Sequence, residues 1–371
     1  MKRDKIVYGA LLCGVVLLCN SCMLGRRQIK SPELELPATV VADATDSLTM
    51  ADMAWWNVYS DSTLTALIER TLERNKDMLA ASARVRRMRA LGRVARADQL
   101  PSVSGQLVAD TEHNDYDGEA AKNDPEFDAK VSLAWELDLW GNLRWANRKA
   151  VAEYLATVDA QRALQMTLVA EVATAYYELV ALDQELSIVR RTLQTRKEGV
   201  RQARLRFEGG LTSETALQQA KVELASTATL IPGLESRIAL KEHQIALLAG
   251  AYPTLRIDRQ TMEMHARLPE RLKVGLPSEL LKRRPDLRQS EQTLRAAEAA
   301  MGMASADRFP RITFSLTGGW ENDDLKGLFS SPFSYVNGSL VSPLFSFGKK
   351  KAKYKAALAA FAAENEEEIG F

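Results

Sequence analysis

The side chains best suited to bond-making chemistry are few and poorly arranged for it. His113, His243 and His265 are scattered, and none shows the paired helical spacing of a zinc hydrolase. No GxSxG turn presents a serine nucleophile, and no GxGxxG run marks a phosphate cradle. Cys13, Cys19 and Cys22 are the only cysteines, so a chain cleaved before Cys22 keeps one thiol and forms no internal disulfide. The sequence therefore predicts no catalytic residue, no cofactor and no metal site. With 49 Lys and Arg against 48 Asp and Glu, the net charge of +1 creates no global field to attract nucleic acid. A chain of 371 residues with 46% apolar content can bury a large interior, which excludes general disorder.

One cysteine does sit where chemistry is expected. Met1-Lys2-Arg3-Asp4-Lys5 precedes an apolar run from Ile6 to Cys19, shorter than the roughly 18 to 20 residues of a spanning helix and suited to a signal peptide over 1–21. Leu18-Cys19-Asn20-Ser21-Cys22 resembles a bacterial lipobox, in which a small residue precedes the cysteine that receives lipid. Cys22 is thus the predicted lipidation site, and acyl chains there would exceed the two signals needed for a stable anchor. Residues 22–54, with Pro32 and Pro37 and little periodicity, read as an extended tether.

Long elements must position whatever the anchor holds. Leu64, Leu67, Ile68, Thr71 and Leu72 mark one face of a helix capped near Ser62, and a second helix spans about 76–98, before Pro101. Its arginines, Arg84, Arg86, Arg87, Arg89, Arg93 and Arg96, spread over more than one face without interleaved aromatics, as a solvated helix surface does. Strands are predicted at about 102–110 and 127–140, separated by a polar loop from Glu112 to Glu126. In the second, Val131, Leu133, Trp135 and Leu137 alternate with polar residues, and its length exceeds the roughly 9 to 11 residues that cross a bilayer. These four are the predicted lipid-facing residues, with Phe127, Trp135 and Trp140 near the interfaces. Alternation alone fits a soluble hairpin equally well. The neighbouring segment decides: after Gly141, as far as Glu208, there is no proline and one glycine, Gly199, giving a potential helix of about 100 Å. After Gly209-Gly210 a returning helix continues to about Leu248, with a kink expected at Pro232-Gly233, so a helical hairpin is predicted over 141–250.

The pattern then repeats. Ala97-Asp98-Gln99-Leu100-Pro101 returns as Ala306-Asp307-Arg308-Phe309-Pro310, and Asp77 returns as Asp286, both 209 positions on. Strands are predicted at about 311–320 and 334–345. The organisation read from this is a first repeat over 55–250, a connector over 251–275 and a second, incomplete repeat over 276–371. Only 23 residues follow Gly348, so the second long hairpin is expected to be missing.

The run Gly275-Leu276-Pro277-Ser278-Glu279-Leu280-Leu281-Lys282-Arg283-Arg284-Pro285-Asp286-Leu287, followed by Met301-Gly302 and Phe309-Pro310, resembles the TolC-like outer-membrane factors, in particular their OprM-like (NodT-type) lipoprotein branch. Trp55-Trp56, Asn75, Asp77 and the stretch Arg206 to Glu214 match as well. The resemblance implies a mainly α fold with transmembrane β-strands: a trimeric twelve-stranded β-barrel on a periplasmic α-barrel. It implies a passive channel subunit in the outer membrane of a Gram-negative bacterium, lipid-anchored and mostly periplasmic. Its partners would be two further copies, a periplasmic adaptor, an inner-membrane transporter of RND type and outer-membrane lipid. The turn at Gly210, Leu211, Thr212 and Ser213 would be the periplasmic tip and adaptor contact. Ala216 stands where the family usually carries an aspartate, so the resemblance brings no gating carboxylate to this turn. The competing readings are a lipid-anchored periplasmic coiled-coil scaffold without a pore, and a non-functional truncated fragment of an efflux channel.

Overall fold

The chain enters helix α1 (Ser62–Arg74) through Asp61, whose Oδ1 accepts hydrogen bonds from the Thr63 and Leu64 amides at 2.8 and 3.1 Å. Its other carboxylate oxygen accepts one from the Tyr176 hydroxyl at 2.7 Å. Ser62 is therefore the first helical residue and not the cap: the Asp61 carboxylate, held by the Tyr176 hydroxyl, accepts from both open amides, and its negative charge suits the helix N-terminus. Leu64, Leu67, Ile68 and Thr71, at three- and four-residue spacing, form the buried stripe. Asn75 ends α1 and caps α2 (Lys76–Ala97): its Oδ1 accepts from the Asp77 and Met78 amides, while its Nδ2 donates to the Leu248 carbonyl at 3.0 Å. The arginines of α2 are exposed.

The computed structural model describes residues 61–114, 122–259 and 283–369. Cys22, the signal and tether segments, Trp55-Trp56, most of the connector and the motif residues 275–282 lie outside the described residues.

After a β-hairpin, β1 (Ser102–Asn114) and β2 (Lys122–Leu137), comes the longest element, α3 (Asn142–Glu208), with 67 residues or about 100 Å. It returns as α4 (Glu214–Leu248), which continues as one helix through Pro232. The hairpin carries rungs of opposite charge along its length: Arg196–Glu223 at 3.2 Å, Arg190–Glu235 at 2.8 Å, Arg237–Glu185 at 3.4 Å and Lys241–Glu178 at 2.6 Å. Each exposed pair is worth at most about 1 kcal/mol, so they set the register more than they hold the helices together. Cohesion comes from the core, where Val169, Val172, Tyr176, Leu179 and Val180 of α3 meet Leu234, Ile238 and Ile245 of α4 and the apolar stripe of α1.

The second repeat copies the first in α5 (Pro285–Ala306), β3 (Arg311–Asn322), β4 (Pro332–Val341) and α6 (Lys349–Ile369). Both α2 and α5 have 22 residues. The glycines opening α3 and α6, Gly141 and Gly348, share a φ of 81°, a left-handed turn that a side chain would strain. The repeats lock together where α3 packs on α5. Buried Asp159 pairs with Arg162 at 2.8 Å and reaches Arg288 of α5 at 3.6 Å, and Asn142 donates to the Met303 carbonyl.

Gly302 of α5 lies under the indole of Trp145, and a Cβ there would sit 2.4 Å from the ring. Gly302→Ala is expected to destabilise the chain by about 1–3 kcal/mol through overpacking. Thermal unfolding followed by circular dichroism checks this. A companion Trp145→Leu change, which removes the ring, should recover most of the loss.

Candidate functional site

The four strands form one antiparallel sheet in the order β1-β2-β3-β4. Register sorts its side chains into two faces. On one lie Val103 and Leu107, Val131, Leu133 and Trp135, Phe314, Leu316 and Trp320, then Val336 and Leu340. On the other lie Ser104 and Gln106, Asp128, Lys130 and Ser132, Ser315 and Thr317, then Asn337. In the two central strands the usual order of a water-soluble sheet is reversed. Val131 is 56% exposed and Leu316 44%, while Asp128 and Thr317 are only 6% and 4% exposed. Ser132 and Thr317 hydroxyls meet at 3.0 Å across the polar face. The uncovered apolar face matches the requirement of a strand set against lipid. β1 and β4 are the outer strands, so their outer edges present backbone groups that no other described strand pairs.

The strand ends correct the sequence reading. β1 and β2 continue to Asn114 and from Lys122, so the described residues of the predicted loop 112–126 belong to the ladder. Glu112 pairs with Asp124 and Thr111 with Pro125, because backbone bonding continues where the side chains turn polar. β2 stops at Leu137 and not 140, since Asp138 turns the chain into α3. Its carboxylate accepts from the Leu143 and Arg144 amides at 3.2 and 2.9 Å and from Arg144 Nε at 3.1 Å. The predicted hairpin 141–250 accordingly becomes helices over 142–208 and 214–248. β3 reaches Asn322, two residues past the predicted 320, where the Asn322 side chain secures the short 3-10 turn Leu325–Ser330 by donating to the Gly327 carbonyl. β4 spans 332–341 and not 334–345; Pro343, which has no amide to donate, stands beyond its end.

Two tryptophans mark the junction with the helices. Trp135 donates from Nε1 to the Gln99 carbonyl at 3.1 Å. Trp140 stacks on Phe309 at 4.9 Å between centroids and donates to the Pro310 carbonyl at 2.7 Å, so it packs within the chain after the strand has ended. Beside this junction Asp307 accepts from both Lys350 and Arg311. Burial works to raise its carboxyl, but the two cations outweigh that and hold it below the usual aspartate range.

At the far end of the long hairpin, Gly210, Leu211, Thr212 and Ser213 form one turn. The Leu211 amide donates to the Arg206 carbonyl at 2.8 Å and the Gly210 amide to Phe207 at 3.0 Å, a Schellman ending with Gly210 at φ 72°. Leu211 is 81% exposed at its apex.

Comparison with known proteins agrees with this geometry. The sequence model described as Outer membrane efflux protein matches residues 67–251 and 276–368. The solvent efflux pump outer membrane protein SrpC of Pseudomonas putida is 33% identical over 303 residues, which cover 79% of this chain and 63% of SrpC. The chain thus spans less than two thirds of the length of that relative. The probable outer membrane lipoprotein SilC of Salmonella typhimurium is 28% identical over 341 residues, 88% of this chain and 73% of SilC. Among solved structures, the outer-membrane channel OprN superposes with a TM-score of 0.83 at 29% identity, over 92% of this chain and 78% of OprN. CusC superposes at 0.80 and 25% identity, over 92% of this chain and 78% of CusC. With a helical body, a four-stranded sheet of reversed polarity and a family match over both repeats, the chain belongs to the outer membrane efflux protein family and resides in the outer membrane.

Proposed function

We propose that the chain is one subunit of a trimeric outer-membrane duct, a passive exit for substrates delivered by an inner-membrane pump of RND type through a periplasmic adaptor. The observation that carries this reading is the reversed sheet. An apolar face left open beside a shielded polar face suits lipid outside and water inside. Four strands are too few to close a barrel, since the smallest outer-membrane barrels use about eight, and unpaired edges in lipid are costly. The four described strands, an even number, let β4 of one copy meet β1 of the next antiparallel, so that three copies close the ring. In this reading Val131, Leu133, Trp135 and Leu137 touch lipid and a lipid on Cys22 adds an anchor. The protein performs no chemistry on what passes. Purified protein added to planar lipid bilayers should give stepwise conductance. Protein that binds bilayers without conducting would fit a lipid-anchored scaffold and overturn the proposal.

The tip turn is proposed as the adaptor contact, because Leu211 is an exposed apolar side chain on a rigid glycine-capped turn. Leu211→Asp is expected to weaken adaptor binding by at least about tenfold, as loss of an apolar anchor at an interface centre does. Biolayer interferometry against the adaptor checks it. Unchanged affinity would move the contact elsewhere.

A further inference from the structure

The polar face of the sheet gathers carboxylates at the end remote from the helices. Glu126 and Asp128 lie on β2 and Glu321 on β3, and Asp128 stands directly opposite Glu321 in register. One carboxylate oxygen from each of the three lies within 4.8 Å of the other two. Three points so spaced share a centre no more than about 2.8 Å from each, a reach that includes the 2.3–2.6 Å of calcium–oxygen bonds, and calcium tolerates an irregular oxygen shell where magnesium demands a near-ideal octahedron. Asp110 of β1 faces Glu126 across the ladder and adds a fourth negative group.

Only one cation of the chain serves this cluster directly among the described residues. Lys130 binds Asp128 through Oδ2. The other oxygen, Oδ1, is buried and has no hydrogen-bond partner among the described residues, although Asp128 is 94% shielded. A buried, unpartnered carboxylate oxygen costs the chain free energy unless something positive approaches it. Three carboxylates against one ammonium also leave net repulsion between the strands that join the two repeats.

We propose that Glu126, Asp128 and Glu321 bind a calcium-sized divalent cation that clamps β2 to β3. The sequence predicts no metal site, because two ligands come from the first repeat and one from the second, and only the β2–β3 register unites them. Lys130 holds one oxygen of Asp128 and leaves Oδ1 to the metal, with water completing the shell. The position of the site on the luminal side rests on the duct reading; its existence does not. In a trimer the three clamps would ring the outer mouth of the passage.

The test is isothermal titration of calcium chloride into chelator-treated full chain in detergent micelles. About one calcium per chain should bind, with Kd within about 10⁻⁴ to 10⁻³ M, the range of extracellular calcium modules. Asp128→Asn and Glu321→Gln should each weaken binding at least tenfold, while Asp323→Asn, outside the cluster, should not. Glu321 is exposed, so its variant stays informative even if Asp128→Asn folds poorly. A wild-type titration without saturable binding up to about 5 mM, above that range, overturns the site. So does a Glu321→Gln isotherm superimposable on wild type. Since binding is read without conductance, a protein that binds calcium but forms no channel would refute the duct and keep the site, and the converse result would do the opposite.

Discussion

In the proposed duct, Val131→Arg is expected to destabilise the membrane-inserted sheet by about 2–4 kcal/mol, the cost of an arginine on the lipid face near the bilayer midplane. Val131 lies in the middle of the apolar row of β2, is 56% exposed in the single chain and sits between Gly105 and Gly318 on its neighbours. Neither neighbour offers a side chain to shelter a guanidinium. Ser104→Arg, on the opposite face of β1 and exposed, places the same charge where water is expected and should cost under about 1 kcal/mol. Denaturant titration of the reconstituted protein, followed by tryptophan fluorescence, measures both. Equal losses at the two positions would show that the faces have been assigned wrongly.

The second large effect belongs to the helical body. Asp61→Ala removes a cap that serves two amides and leaves the buried Tyr176 hydroxyl without the carboxylate it donates to. Loss of a cap costs about 1 kcal/mol and loss of a buried hydrogen-bond partner about 1–3 kcal/mol, so a total of about 2–4 kcal/mol is expected. Asp61→Asn, which can still cap, should lose less. Once Tyr176→Phe has been introduced, Asp61→Ala should cost less than in the wild type, because no hydroxyl remains to lose its bond to the Asp61 carboxylate. Thermal unfolding of the five proteins, the wild type and Tyr176→Phe included, provides the comparison. A loss within 0.5 kcal/mol of zero for Asp61→Ala, the ordinary range for surface changes, would contradict the account of this cap.

What the sequence discloses is what local pattern encodes. The alternation through Val131, Leu133 and Trp135, the proline-free run before Gly209 and the recurrence of Ala97-Asp98 as Ala306-Asp307 are each written in consecutive residues. Strands, long helices and the duplicated plan follow from them. Element ends were less legible because they depend on single side chains acting at a distance. Asp61 outcompetes Ser62 as a cap partly through Tyr176, 115 positions away, and Asp138 ends β2 by accepting from Arg144. Least legible was anything joining the two repeats. Trp145 over Gly302, Asp159 near Arg288, and the carboxylates of Glu126, Asp128 and Glu321 all depend on how one repeat registers against the other. No spacing within either repeat carries that information.

The central claim is that the open edges of one chain are closed by other copies, and cysteine pairs across those edges test it most directly. Ser104 on β1 and Tyr335, Asn337 or Ser339 on β4 share the polar face, so a cysteine at position 104 combined with one at each β4 position samples neighbouring registers. A disulfide requires Cα atoms within about 7 Å, which only adjacent strands provide. Oxidation in outer membranes, followed by non-reducing electrophoresis, should give dimers and trimers for at least one pairing. In the proposed duct three copies of the four-stranded sheet close the ring, so the ladder should stop at three chains. The parent chain without introduced cysteines should give no ladder. Monomer alone in every pairing, or a ladder running past three, would contradict the trimeric duct.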